Sequence, residues 1–314
     1  MAMFLAQRAF ALLPVLFLVV VIAFGVLQLI PGDAAVVILG IESTPERVAA
    51  MRARLGLDLP LHQQFLTYLW SVLQGDLGRS IFLDQGVAQA IAERAPVSLL
   101  LAAMSLFWAI LLGIPAGIVA ATRRGSAVDN FVMTGSLLGM SVPSFWLGLN
   151  LILVFGVWVK WFPTGGYVSA STDLGAALWH LMLPSLSLGV IQMAQIGRMT
   201  RSAMLETLSQ DYIRTARAKG LSEFMVIGKH ALRNCLLSIV TVVGLIFAEL
   251  LGGAIITEQI FSIPGIGQMV ITAVAQRDYP IIQGALIMVG TVYVLINFLT
   301  DVTYGIIDPR VRIA

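Results

Sequence analysis

Hydrophobic residues in this chain come in long blocks, not in the alternation of a strand or the one-sided stripe of a soluble helix. The first block is 10–30, and with Ala9 it reads AFALLPVLFLVVVIAFGVLQLI. At about 1.5 Å per residue, a helix of this length crosses a hydrocarbon core of ~30 Å. Arg8 stands before it and no small-residue cleavage site follows, so the pattern predicts an uncleaved anchor. Pro14, near its start, is tolerated in a membrane helix. Five more spans are predicted at 97–121, 131–159, 179–197, 236–257 and 281–300. The third is long enough to tilt or kink. Six spans place both termini on one side.

The polar stretches carry their own signals. In 31–96, PGDAA opens with a turn, and Thr44-Pro45-Glu46 reads as an N-cap with Pro at the first helical position. That helix should end near Leu55, at Gly56. LHQQFLTYLWSVLQ (61–74) is amphipathic, suited to the membrane interface or to packing on the bundle. GDLGRS (75–80) is a break, 87–94 a short helix, and Pro96 precedes the second span. The organisation expected is an N-terminal span and polar section over 1–96, then a five-helix core over 97–314 with a polar loop at about 206–233.

That loop is the most structured polar feature of the chain. It reads DYIRTARAKGLSEFMVIGKHALR over 211–233. Asp211 suits a helix start, Arg217 and Lys219 suit its last turn, and Gly220 suits a left-handed C′ position. Ser222 can cap a second helix with Glu223 in its first turn. Helix, glycine corner, helix is the expectation, as a docking element for another protein.

Composition bounds the class. Of 314 residues 58% are hydrophobic and 11% charged, against about 25% charged in a soluble domain. The chain is therefore a polytopic all-α membrane protein. Charge placement orients it. In short loops, Arg and Lys favour the side holding Arg8, Arg123, Arg124, the 198–233 region and Arg310, over the side holding Lys160 and Arg277. Both termini and the 211–233 loop are thus expected in the cytoplasm, with 31–96 and 258–280 outside. The single cysteine, Cys235, excludes an internal disulfide. His62, His180 and His230 show no ligand spacing. No phosphate-binding glycine loop is present, so the chain itself has no visible means of holding a nucleotide.

RTARAKG (214–220) followed by HALR (230–233) resembles the cytoplasmic loop of ATP-binding-cassette importer permeases. Against that family's general pattern, Ala216, Gly220 and Leu232 match, while Arg214, Thr215, His230 and Arg233 depart. The dipeptide and oligopeptide branch is closer. It resembles this chain in DYIRTARAKGLSE, KHALRN, LIPGDAA, GDLGRS, TEQIFSIPGIGQ (257–268), RDYP (277–280) and DPRVR (308–312). The chain looks like a B-type permease subunit, which implies the six-helix type I importer permease fold in a bacterial or archaeal inner membrane. The resemblance implies a second homologous permease, two ATP-binding subunits that carry ATP and Mg, and a periplasmic solute-binding protein as partners. No nucleic acid is implied, and lipid surrounds the spans. The chain would be a transport part, not an enzyme, and peptides the cargo. Its ATPase-docking residues would be Asp211, Tyr212, Arg214, Ala216, Arg217, Lys219, Gly220, Leu221, Ser222, Glu223, His230 and Leu232. In the outer loop, Glu258, Phe261, Pro264, Gly265 and Gly267 would form a gate or meet the binding protein, with Phe261 and Ile263 exposed.

Glu249 is an acid inside span five, and such groups are expensive and functional by default. It can face a cavity and meet a cationic group, be protonated, or pair with the second permease. Gly252 and Gly253 offer close helix approach. Asn150, Gln192, Gln195 and Asn297 suit interhelical hydrogen bonds, and Trp161, Tyr167 and Trp179 an interfacial belt. A self-sufficient secondary transporter using Glu249 is the competing reading. It lacks a visible internal repeat and a second intramembrane acid. An intramembrane enzyme would need a nucleophile–base pair or metal cluster within the spans, and none is visible.

Overall fold

The computed structural model describes residues 2–29, 34–39, 43–80 and 82–307. Within them the chain is helical and holds no strand, only an isolated bridge between Arg79 and Gly86. Ile30, the first three residues of the PGDAA turn, and DPRVR lie outside the described residues.

Helix α1 (Ala2–Leu29) is followed by α2 (Ala34–Leu39), α3 (Pro45–Leu55) and α4 (Leu61–Leu73). Thr44 caps α3 and Gly56 ends it at φ +68°, as the local sequence requires. Helix α4 packs on α1 through Phe65, whose ring lies 5.4 Å from that of Phe24. Its opposite stripe, Leu66, Trp70 and Leu73, is exposed. One face thus serves the bundle and the other is apolar and open, the pattern of an interfacial helix.

Helix α5 runs unbroken over Val87–Thr122, through both Pro96 and Pro115. The helix expected over 87–94 is not separate from the second span but its first part. Proline removes one hydrogen bond and crowds the preceding turn. Here Val87, Ala90 and Ile91 are buried against Ile266, Met269, Ile281 and Ile282, which fix the direction of that first part. Pro143 has the opposite outcome. Helices α6 (Ala127–Ser141) and α7 (Ser144–Leu151), the latter continued by a π-helical turn (Ile152–Trp158), meet at 96°. Val142 before Pro143 is extended, as a residue preceding proline prefers. The third span is therefore broken, more sharply than a tilt or kink.

Helix α8 (Leu174–His180) joins α9 (Met182–Leu208) at 54°. The fourth span thus reaches well past Gly197. Helices α5 and α9 form the centre of the bundle and touch backbone to backbone. A Cβ on Gly117 would stand 2.5 Å from the Gly197 carbonyl oxygen. Arg201 of α9 pairs bidentately with Asp129 of α6, at 2.6 and 2.7 Å. The backbone N–H of Gly125 donates to the same carboxylate.

Helix α10 (Asp211–Ala218) precedes a continuous helical run made of α11 (Glu223–Met225), a π-helical turn (Val226–Ala231) and α12 (Leu232–Gly253). Then come α13 (Ile255–Ile260), α14 (Ile266–Gln276) and α15 (Tyr279–Ile307), the last lying along α1. Among the described residues four helices are long and apolar enough to cross a membrane, and the two bent pairs bring the number to six. Among the described residues, the interhelical hydrogen bonds expected of Asn150, Gln192, Gln195 and Asn297 are not formed, although Gln283 donates to Ala23 and Tyr304 to Thr241 between helices. Asn150 donates to Trp146 in its own helix, and Gln192, Gln195 and Asn297 bond to no other helix.

Candidate functional site

The 211–233 corner closes through its own backbone. The N–H of Leu221 donates to the Ala216 carbonyl, and that of Gly220 to the Arg217 carbonyl. These two bonds make a Schellman termination, which needs a left-handed residue. Gly220 supplies it at φ +78°. Across the corner, the Arg217 guanidinium donates to both oxygens of Glu223, at 2.7 and 3.2 Å. That carboxylate holds the guanidinium above its ordinary pKa. Asp211 and Arg214 form an i,i+3 pair at 3.5 Å, and Asn234 donates to the Tyr212 hydroxyl at 2.7 Å. Ser222 takes the N-cap conformation, but its side chain makes no capping bond.

The corner has an inner and an outer face. Ile213 and Ala216 are buried in a cluster with Ala121 of α5, Met204 of α9, and Val226, Ala231, Cys235 and Ile239 of the fifth span. Leu221 and Leu232 pack partly against that cluster. Ala216 therefore attaches the corner to its own bundle and does not offer its side chain to a partner, which corrects the expectation for it, while Leu221 and Leu232 are half-buried. The outer face holds Asp211, Tyr212, Arg214, Arg217, Lys219, Gly220, Ser222 and Glu223, with His230 half-buried. The second arm is not a separate helix; it is the first turn of the fifth span. Sequence reasoning passed over Phe224. It is 87% exposed at the tip of the corner. The available signal was an aromatic residue in a polar stretch outside every apolar block.

A second constellation lies at the far end of α12. Glu258 of α13 is fully buried. Its carboxyl accepts from the Ser98 hydroxyl of α5 at 2.5 Å, from the Gln268 N–H at 3.0 Å, and from the backbone of Gly267. Ser98 in turn accepts from the Ile266 N–H at 2.9 Å. Burial pushes the Glu258 carboxyl above the ordinary range, and the three donors pull against that rise. Gly265 and Gly267 face this carboxyl with no room for a Cβ. Phe261, 1% exposed, sits against Gly148 of α7, and its carbonyl accepts from the Gly166 N–H at 2.8 Å. The exposure expected of Phe261 and Ile263 is thus wrong, because 255–276 folds back into the bundle. Glu258, Phe261, Gly265 and Gly267 are internal to this chain and cannot meet a binding protein in this conformation. Of the five, only Pro264 is exposed.

Glu249 is exposed on α12, on one face with Leu245, Gly252 and Gly253, and Ile256 continues that face beyond the helix. Among the described residues it makes no hydrogen bond or ion pair. Neither corner nor loop groups residues in a metal-holding arrangement.

The arrangement of two bent and four unbroken spans about α5 and α9, with a polar corner ahead of the fifth, is the type I fold of binding-protein-dependent importer permeases. It matches the inward-facing MetNI methionine transporter structure with a TM-score of 0.58 at 20% identity, over 70% of this chain and 97% of that one. The chain belongs to the family of binding-protein-dependent transport system inner membrane components: it matches that description over residues 113–313 and the family's N-terminal component over 1–102. It is 43% identical over 333 residues to the di/tripeptide transport system permease of Pseudomonas aeruginosa, covering 99% of each chain. It is 40% identical over 336 residues to the dipeptide transport system permease of Escherichia coli K12, again covering 99% of each. The chain is a multi-pass membrane permease, and nothing in its relatives supports a self-sufficient secondary transporter.

Proposed function

We propose that this chain is one of two permease subunits of an ATP-driven importer of short peptides, coupled to its ATPases through the outer face of the 211–233 corner. The observation that carries the reading is the mechanical continuity of that corner. Its outer face is polar with Phe224 at the tip, while its inner face is packed on α5, α9 and α12. A displacement applied to α10 is passed to three spans at once, since a closed Schellman turn and a bidentate ion pair leave the corner little freedom to bend. In this reading the corner and both termini are cytoplasmic, as the Arg and Lys bias favours. ATP and Mg bind to two separate ATPase subunits, so the chain itself catalyses nothing. A second permease completes the cavity, and a periplasmic binding protein delivers cargo at the far end. Glu249 faces the shared cavity, where its carboxylate meets a cationic cargo group. The peptide cargo is supported by the names of the relatives above.

The test is copurification of the tagged chain from cells that express its neighbouring genes. Two ATPases and a second permease are expected. Gly220→Ala and Gly220→Arg both carry the left-handed penalty, about 1–2 kcal/mol, and a Cβ at this position has no atom within 4 Å. Both should insert. Gly220→Arg, which places a long cation on the docking face, should lose the ATPases and transport, while Gly220→Ala keeps them. Retention of full transport by Gly220→Arg would refute the docking role.

A further inference from the structure

Helix α4 lies against α1, and the register of α1 on α15 gives its depth. These two spans run antiparallel. Arg8 pairs with Asp301 at 3.3 Å, Val19 seats on Gly290, and Gln283 donates to the Ala23 carbonyl at 3.3 Å. Asp278 and Asp301 mark the two polar ends of α15. At about 1.5 Å per residue they stand about 34 Å apart, close to the ~30 Å of a hydrocarbon core. Gly290, and Val19 with it, is then about 18 Å below Asp278, near mid-membrane, while Gln283 and Ala23 are about 8 Å below it. The Phe65 ring of α4 touches both Phe17 and Phe24 of α1, with centroids 6.1 and 5.4 Å away, and the Tyr68 ring meets Phe24 at 5.8 Å. Phe17 is two residues from Val19, and Phe24 one from Ala23. Phe65 therefore lies between levels about 6 and 21 Å beneath Asp278, within the depth of the hydrocarbon core.

The sequence of this stretch fits that depth. Between Asp58 and Asp76 the chain carries no Asp, Glu, Lys or Arg, whereas 45–58 holds Glu46, Arg47, Arg52, Arg54 and Asp58. The turn entering α4 is closed internally. The Gln64 carboxamide donates to the Leu57 and Leu59 carbonyls at 3.2 and 2.8 Å, and Pro60 has no N–H to satisfy. Backbone at membrane depth needs such internal partners. On the face turned away from α1, Leu66, Trp70 and Leu73 are 60%, 64% and 70% exposed. They recur at i, i+4 and i+7, a single stripe. Phe17, which touches Phe65, is itself exposed, so the open apolar wall of α1 runs on into α4.

We propose that α4 is embedded in the leaflet away from the 211–233 corner, and that its Leu66–Trp70–Leu73 stripe lies on phospholipid acyl chains. Composition separates this occupant from a second permease. Helices that pack on one another in a membrane present small residues. The exposed face of α12 has them, at Gly252 and Gly253 beside Glu249. The α4 stripe has none, only two leucines and a tryptophan. Part of the 31–96 section, expected outside the membrane, is thereby placed within it. The inference depends on neither the cargo nor the ATPase reading.

The experiment places the full-length chain, with its copurifying subunits, in nanodiscs of phosphatidylcholine with brominated acyl chains, since bromine quenches indole fluorescence on contact. The chain has six tryptophans, so the Trp70 signal is the difference between wild type and Trp70→Phe. Brominated chains should remove most of that difference, and iodide in the water should leave it intact. Cysteine labelling gives a second reading that stands if Trp70→Phe does not fold. Cys235 is buried, and Asp58 is exposed and supplies the reference. Leu66→Cys and Leu73→Cys should react with a membrane-impermeant maleimide about tenfold or more slowly than Asp58→Cys, because a thiol in apolar surroundings stays protonated. All three should label equally once unfolded in dodecyl sulfate. Iodide quenching of Trp70, or labelling of both cysteines at the Asp58→Cys rate, would put the stripe in water and overturn the proposal. Quenching by neither bromine nor iodide would show a protein covering Trp70 and overturn it equally; loss of that protection in the chain purified alone would identify a partner subunit as the cover.

Discussion

Truncating Glu258 to alanine should free the far-end loop from the bundle. The side chain is fully buried and holds three donors: the Ser98 hydroxyl and the N–H groups of Gly267 and Gln268. Ser98 can rotate, but the two backbone donors open α14 and cannot turn away. A buried donor left unpaired costs about 1–3 kcal/mol. Two of them give about 2–6 kcal/mol, and water entering the vacated space moves the value to the lower half, near 3 kcal/mol. If that loss appears as local opening, amide exchange at 266–269 accelerates about a hundredfold, at about 1.4 kcal/mol per decade. Hydrogen exchange with mass spectrometry on the purified protein reads this directly. Exchange at 213–217, at the opposite end of α12, should not change. Glu258→Gln keeps the volume and one acceptor oxygen, so it should fall between wild type and alanine. Unaltered exchange at 266–269 in the alanine variant would refute the clamp.

Three further expectations follow from the same geometry. Glu258 titrates above the ordinary carboxylate range, so the folded clamp holds a proton that the unfolded chain releases. Its stabilisation is complete below the unfolded value and is lost as pH rises through the folded one; exchange at 266–269, taken relative to Glu258→Gln at each pH, should rise over that window. Asp129→Asn and Arg201→Gln should each lower thermal stability, and the double variant should be little worse than either, since one bidentate pair is being removed; strict additivity would show that the pair is not a unit. Phe224→Ser should leave insertion and melting unchanged, because that ring has no buried contacts to lose, and should reduce copurified ATPase; a drop in melting temperature would place the ring in the core instead.

Two prolines mark the division between sequence and structure. Six apolar blocks were legible because a predominantly apolar run of about twenty residues has no other stable placement. The corner at Gly220 was legible because a Schellman turn is local: a cationic last turn, then a glycine. Pro96 and Pro143 carry the same local signal, yet one lies inside an unbroken helix and the other at a 96° break. The difference is the packing of Val87, Ala90 and Ile91 against helices more than a hundred residues away. The far end shows the same limit. Topology put TEQIFSIPGIGQ outside a membrane and so exposed it, but Glu258 reaches Ser98, and Asp278 reaches Ser80. Those pairings join residues 160 and 198 positions apart. Composition and spacing determined the class, the spans and the corner, because each follows from local transfer energies and turn geometry. Which polar groups are buried, and which faces stay open to a partner, was decided only when distant segments met, because burial is a property of the neighbours a residue finds.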